Sequence, residues 1–231
     1  MAKLVGLHKE NTMSGKWRWK TAQMAERKWW QIYLKDKDVT AYLKWKKQYW
    51  QDLLNRCSPY FSIKKDDVIL DAGCGPAGMY MLFEENSCVA FDPLIQAYEA
   101  DLPHFKRAMY PSVRFVEAGL EDFSEPGSFQ VIFCMNAINH VHDIQKSYDR
   151  LIENAADGAW IVVTIDAHNF SFFKHTFRLL PGDVLHPHQY DLNEYQHFMT
   201  SRNCELVASV HLKHEFFFDH YMIIARKKAK L

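Results

Sequence analysis

The chain has 231 residues, 48% of them apolar and 24% charged, the balance of an ordinary globular protein long enough to bury a sizeable core. Lysine and arginine total 28 and so do aspartate and glutamate, which argues against nucleic acid as the main partner, since phosphate backbones usually select a basic excess. No apolar run approaches the ~18–20 residues of a membrane span, and five cysteines without C-x-x-C spacing set aside zinc ribbons and disulfide scaffolds and read as reduced thiols of a cytosolic protein.

Met1 to Gly15 lack the apolar core of a signal peptide, so the expected location is cytoplasmic. Six of the seven tryptophans precede residue 51, in a lysine-rich stretch without strand signals. Helices are expected from about Trp17 to Leu34 and from about Thr40 to Cys57, with Lys35–Asp38 as the break and Ser58-Pro59 as the stop. In the second, Tyr42, Trp45, Tyr49, Leu53 and Cys57 recur at three- and four-residue steps, while Lys44, Lys46 and Lys47 take the opposite face. From Asp66 the pattern changes to short apolar runs alternating with amphipathic stretches, the signature of βαβ units and a mostly parallel sheet. Strands are expected at Asp67–Ala72, Cys88–Phe91, Val113–Glu117, Gln130–Met135 and Ala159–Ile165, with helical stretches near Gly78–Glu85, Leu94–Met109 and Asp143–Ala155. A long segment from Asp166 to Asp191, a helix over Leu192–Arg202 and an antiparallel pair, Glu205–Lys213 and Phe216–Arg226, complete the chain.

The first strand runs into Asp71-Ala72-Gly73-Cys74-Gly75-Pro76-Ala77-Gly78, a G-x-G-x-x-G in strand-to-helix context. Glycines there let the backbone turn sharply and approach a ligand closely. Twenty-one residues after Asp71 the second strand ends in Phe91-Asp92-Pro93, where an acid sits beside the loop and can accept ribose hydroxyls. A dinucleotide enzyme would set a pyrophosphate on this loop. A sulfonium nucleoside has no phosphate, and Asp71 suits it better, because a carboxylate repels phosphates but can hold an ammonium.

Val68-Ile69-Leu70-Asp71-Ala72-Gly73-Cys74-Gly75 resembles the first motif of class I S-adenosylmethionine-dependent methyltransferases, and Phe91-Asp92 their ribose-binding acid. Phe129 to Val141 resembles their fourth motif, in the style of small-molecule enzymes related to the quinone and biotin pathways. The resemblance covers about residues 66–226. It implies a Rossmann-like α/β fold with a seven-stranded, mostly parallel sheet in the order 3-2-1-4-5-7-6, strand 7 antiparallel. It also implies S-adenosyl-L-methionine as cofactor, a small-molecule acceptor, and cofactor contacts from Asp71, Ala72, Gly73, Cys74, Gly75, Asp92, Pro93, Leu120, Glu121, Asn136 and Ala137. One departure stands out: Gly119 occupies the position where many relatives carry an acid for the adenine amino group, which leaves that acceptor to Glu121 or to water.

The expected division is residues 1–62 as an aromatic helical cap and 63–231 as the methyltransferase domain, with an insertion at about 166–191. The cap must bury its stripe, either across the carboxyl edge of the sheet, with Trp29, Trp30, Tyr33 and Tyr42 closing over the ligands, or elsewhere on the sheet. Methyl transfer is an in-line displacement that needs alignment and exclusion of water, and a base where the acceptor must lose a proton. The candidate bases are His140, which follows the fourth strand, and His186 and His188 in the long segment. No metal site is expected, because nothing fixes further ligands around His186-Pro187-His188. Asn136-Ala137-Ile138-Asn139 departs from the tetrapeptide of amino-directed nucleic-acid methyltransferases, and neutral charge with an aromatic cap favours a small, partly apolar acceptor. Two rival readings are a nicotinamide-dependent Rossmann enzyme and an inactive module that binds the cofactor without catalysis.

Overall fold

The computed structural model describes residues 21–168, 190–215 and 218–229. Residues 21–34 form helix α1 and Val39–Cys57 form α2. Between them Asp38 caps α2, its carboxylate accepting the Ala41 amide at 2.8 Å.

The apolar runs become β1 (Ile69–Ala72), β2 (Cys88–Phe91), β3 (Val113–Val116), β4 (Phe129–Cys134) and β5 (Ala155–His168), all in parallel register. β6 (Cys204–His214) and β7 (Phe218–Lys227) pair antiparallel, and β7 lies antiparallel to β5. The sheet has seven strands in the order β3-β2-β1-β4-β5-β7-β6, the order and direction expected. β1 and β2 are buried along their whole length, which is why they read as apolar apart from Asp71, whereas exposed positions recur along the edge strand β6.

Each face of the sheet carries its own core. On one, α2 contributes Tyr42, Trp50, Leu53 and Cys57 to a cluster with Ile69, Phe133, Val162 and Met222. On the other, α4 (Ile144–Asn154) and α5 (Leu192–Thr200) pack Tyr148, Leu151, Tyr195 and Phe198 against Leu70, Ile132, Ile161 and Ile223. Asp143 caps α4, and Asp191 and Glu194 form a reciprocal capping box on α5.

Two helical expectations are corrected. Over Gly78–Glu85 the chain makes one 3-10 turn, Met79–Leu82, because only five residues remain before β2 begins. Over Leu94–Met109 it makes a short α-helix, α3 (Ile95–Asp101), and a separate 3-10 turn at Arg107–Met109. Pro103 causes the break: it lacks an amide proton and forces Leu102 into an extended conformation, φ −111° and ψ 122°. β5 runs further at both ends than expected. Most of the 166–191 segment lies outside the described residues.

Candidate active site

Parallel strands leave the ends of their connections along one edge of the sheet, and the motif residues gather there. After β1 the backbone turns at Gly73 and Gly75, with φ of 68° and 57°. Gly73 has no room for a side chain, since a Cβ would stand 2.4 Å from the Cβ of Ala137. The amides of Gly73 and Cys74 donate to the Phe91 carbonyl at 2.9 and 3.0 Å, which draws the loop against the end of β2.

Asp92 follows β2 and is only 6% exposed. Its Oδ2 accepts the Gly75 amide at 3.0 Å and its Oδ1 the Leu94 amide at 2.9 Å. Burial, reinforced by the neighbouring carboxylate of Glu26, pushes Asp92 up to about 7. The Tyr98 hydroxyl donates to Glu26 Oε1 at 3.4 Å. Glu26 belongs to α1, so the N-terminal helix meets the acid at the end of β2.

Asp71 and Ala72 do not reach the cavity wall. Asp71 is 1% exposed, and its Oδ2 accepts the Tyr80 amide at 2.9 Å; the carboxylate is turned into the 3-10 turn behind the loop. Burial raises it to about 7, opposed by the amides of Tyr80 and Met79 and by the ammonium of Lys46. Lys46 projects from α2 into the cavity, above the rings of Trp50 at 4.4 Å and Tyr49 at 5.0 Å. Burial lowers its ammonium to about 8, and Asp71 works against that fall.

The connections after β3 and β4 supply the opposite wall. Leu120 and Glu121 line it, yet Glu121 Oε1 is already engaged by the amides of His142 and Asp143 at 2.7 and 3.0 Å. Its first role is therefore to hold the start of the α4 segment. Asn136 adopts a left-handed conformation, φ 54°, fixed by Thr164 through bonds of 2.7 and 2.9 Å. His140 ends a 3-10 turn at Ile138–His140 and is exposed at the cavity rim.

These pieces enclose one cavity of about 500 Å³. Of the residues singled out from the sequence, Gly73, Cys74, Gly75, Asp92, Pro93, Leu120, Glu121, Asn136, Ala137, His140, Trp30 and Tyr33 line it together. His186 and His188 lie outside the described residues. Sequence reasoning missed Glu26 and Lys46. Lys46 reads as part of a solvated helix face, because the partner that buries it, the glycine loop, is distant in sequence. Trp50, read only as a widening of the stripe, donates its indole N–H to the Ala77 carbonyl at 2.8 Å and so ties α2 to the loop.

The donor set fits a nucleoside with a charged tail. Asp92 and Glu26 offer carboxylate oxygens at one end, backbone bared by Gly73 and Gly75 lies in the middle, and Lys46 with Asp71 behind it provides charge beyond. The roof of Trp29, Trp30, Tyr33 and Trp45 is apolar and would keep water from the reacting atoms.

A family described as a methyltransferase domain matches residues 42–215. The fold is also similar to several solved structures. YcgJ protein from Bacillus subtilis aligns with a TM-score of 0.63 at 15% identity, over 79% of this chain and 100% of its own. The 1,6-didemethyltoxoflavin-N1-methyltransferase of Burkholderia thailandensis, solved with bound 1,6-didemethyltoxoflavin and S-adenosylhomocysteine, aligns with a TM-score of 0.58 at 13% identity. That match takes in 96% of this chain and 90% of the other, so it extends into the N-terminal helices. The geranyl diphosphate C-methyltransferase of Streptomyces coelicolor aligns with a TM-score of 0.59 at 12% identity, over 78% of each chain.

Proposed function

The chain belongs to the class I S-adenosylmethionine-dependent methyltransferases, and we propose that it methylates a small, partly apolar acceptor beneath the aromatic helices. The observation that carries this reading is the single cavity in which the glycine loop, Asp92 and the N-terminal helices meet. In the reading, Asp92 accepts the ribose hydroxyls, the Leu120 amide meets the adenine ring, and the loop backbone lies along the methionine part. Lys46 holds the carboxylate of that part, and Asp71 keeps Lys46 charged. Residues 1–62 act as the cap and 63–231 as the catalytic domain, with an insertion at about 166–191.

When bound, the cofactor supplies an electrophilic methyl group on a sulfonium. The residues of the chain do the rest: Trp29, Trp30, Tyr33 and Trp45 exclude water, Asn136 orients the acceptor, and His140 takes its proton where one must be lost. The structures of the toxoflavin and geranyl diphosphate enzymes, both solved with small substrates, support an acceptor of that size. Five buried cysteines without a disulfide support a reducing, cytoplasmic setting, and no described helix is long and apolar enough to cross a membrane.

Two measurements test the reading. S-adenosylhomocysteine should raise the melting temperature of the protein and NAD should not. A panel of small hydroxyl, amine and carbon acids, scored by S-adenosylhomocysteine release, should then yield turnover. Binding without turnover across such a panel would favour an inactive cofactor-binding module instead.

A further inference from the structure

The hairpin that closes the sheet carries a second constellation. Residues three apart on a regular strand point to opposite faces, because side chains alternate. β6 escapes that rule. It pairs with β7 as His211↔Tyr221, Lys213↔His220 and His214↔Asp219, which leaves Leu212 as an extra residue. A bulge of this kind re-aims the side chains that follow it. Here it returns His214 to the face that His211 shares with Tyr221 and Asp219.

The result is a compact donor set. His214 Nδ1 lies 2.6 Å from Asp219 Oδ1, and His211 Nε2 lies 3.5 Å from the same oxygen. The three ligand atoms all lie within 4.8 Å of one another. In a tetrahedral site with bonds of ~2.0–2.1 Å, ligand atoms stand about 3.3 Å apart. His211 and His214 are 47% and 71% exposed, so both rings can turn to meet that spacing. The Tyr221 ring packs edge-on to His211 with centroids 5.2 Å apart, on the face that also carries Asp219. Lys213, the nearest lysine in the sequence, points to the other face and is ion-paired with Glu215.

We infer that His211, His214 and Asp219 bind a divalent transition-metal ion of the zinc class on the β6–β7 hairpin, independently of the cofactor cavity. Two imidazoles and a carboxylate suit zinc, cobalt or nickel, whereas magnesium and calcium prefer oxygen alone. The ion would clamp β6 to β7 where the bulge interrupts their ladder, leaving its remaining positions to water.

The test uses the full chain stripped of metal by chelator dialysis. Equilibrium dialysis with zinc should give one saturable equivalent, and cobalt should give visible d–d absorption. His214→Ala and Asp219→Asn should each weaken zinc binding at least tenfold. A His186→Ala, His188→Ala double variant should bind as the parent does. Unchanged S-adenosylhomocysteine binding in the hairpin variants checks their folding, and His211→Ala serves in place of any variant that fails that check. Zinc binding that survives these substitutions, or the lack of a saturable equivalent in the parent, overturns the assignment.

Discussion

Asp92 latches Gly75: its Oδ2 accepts the loop amide at 3.0 Å, so the acid at the end of β2 holds the glycine loop. The same carboxylate is the proposed ribose acceptor. Asp92→Ala removes both services, and hydrogen bonds to a charged group contribute ~1.5–3 kcal/mol each. Calorimetry should show S-adenosylhomocysteine binding at least tenfold weaker in a protein that still melts cooperatively. Unchanged affinity would remove Asp92 from the site.

Gly73 and Gly127 share a left-handed backbone, φ 68° and 69°, but not their surroundings. A Cβ at Gly127 meets nothing within 4 Å, whereas one at Gly73 collides with Ala137. Gly127→Ala should therefore cost only the ~1–2 kcal/mol of the left-handed conformation and leave binding intact. Gly73→Ala should destabilise more and abolish binding. Denaturant titration and calorimetry on the pair separate backbone strain from loop collision.

Burial holds both Asp71 and Asp92 at about 7, above the values they have in the unfolded chain. The folded state therefore binds more protons, and ligand-free stability should fall as pH climbs from about 4 to about 7. Ligand hydroxyls need the Asp92 carboxylate, so S-adenosylhomocysteine affinity should rise across that window, by up to about tenfold per unit. Asp92→Asn should flatten the rise. A pH-independent affinity in the parent would contradict this account.

Lys46→Met removes the cation beside Asp71 while keeping much of the apolar stem over Trp50. Binding of S-adenosylhomocysteine should weaken about tenfold or more, as expected for one charge-assisted bond. A decarboxylated analogue should bind parent and variant alike. Discrimination that persists in the variant would place the carboxylate elsewhere.

His140→Ala should lower turnover about 100-fold on an acceptor that must lose a proton, with cofactor affinity unchanged. On an acceptor that is already nucleophilic the loss should be small. Equal losses in turnover and affinity would make His140 a structural residue.

The sheet was legible because each parallel strand is a short apolar run bounded by turn residues, and the glycine loop with Asp92 marks its ligand edge. Charged residues whose partners lie far along the chain were not legible. Lys46 sits among Lys44 and Lys47 on what reads as a solvated face, and only the packing of α2 against the loop turns it inward. The bond from the amide of Tyr80, nine residues on, to the carboxylate of Asp71 was likewise not legible. The grouping of His211, His214 and Asp219 depends on one unpaired residue, Leu212, and strand periodicity alone sends the two histidines to opposite faces.

The half-buried amine of Lys46 has a use outside catalysis. At a value of about 8 it is a free base for an appreciable part of the time in mildly alkaline buffer, unlike a fully solvated lysine near 10.4. Aldehydes and activated esters that enter the cavity would modify it ahead of its neighbours Lys44 and Lys47. A ligand carrying such a group could be anchored covalently there, giving a selective inhibitor and a way to trap molecules that visit the pocket.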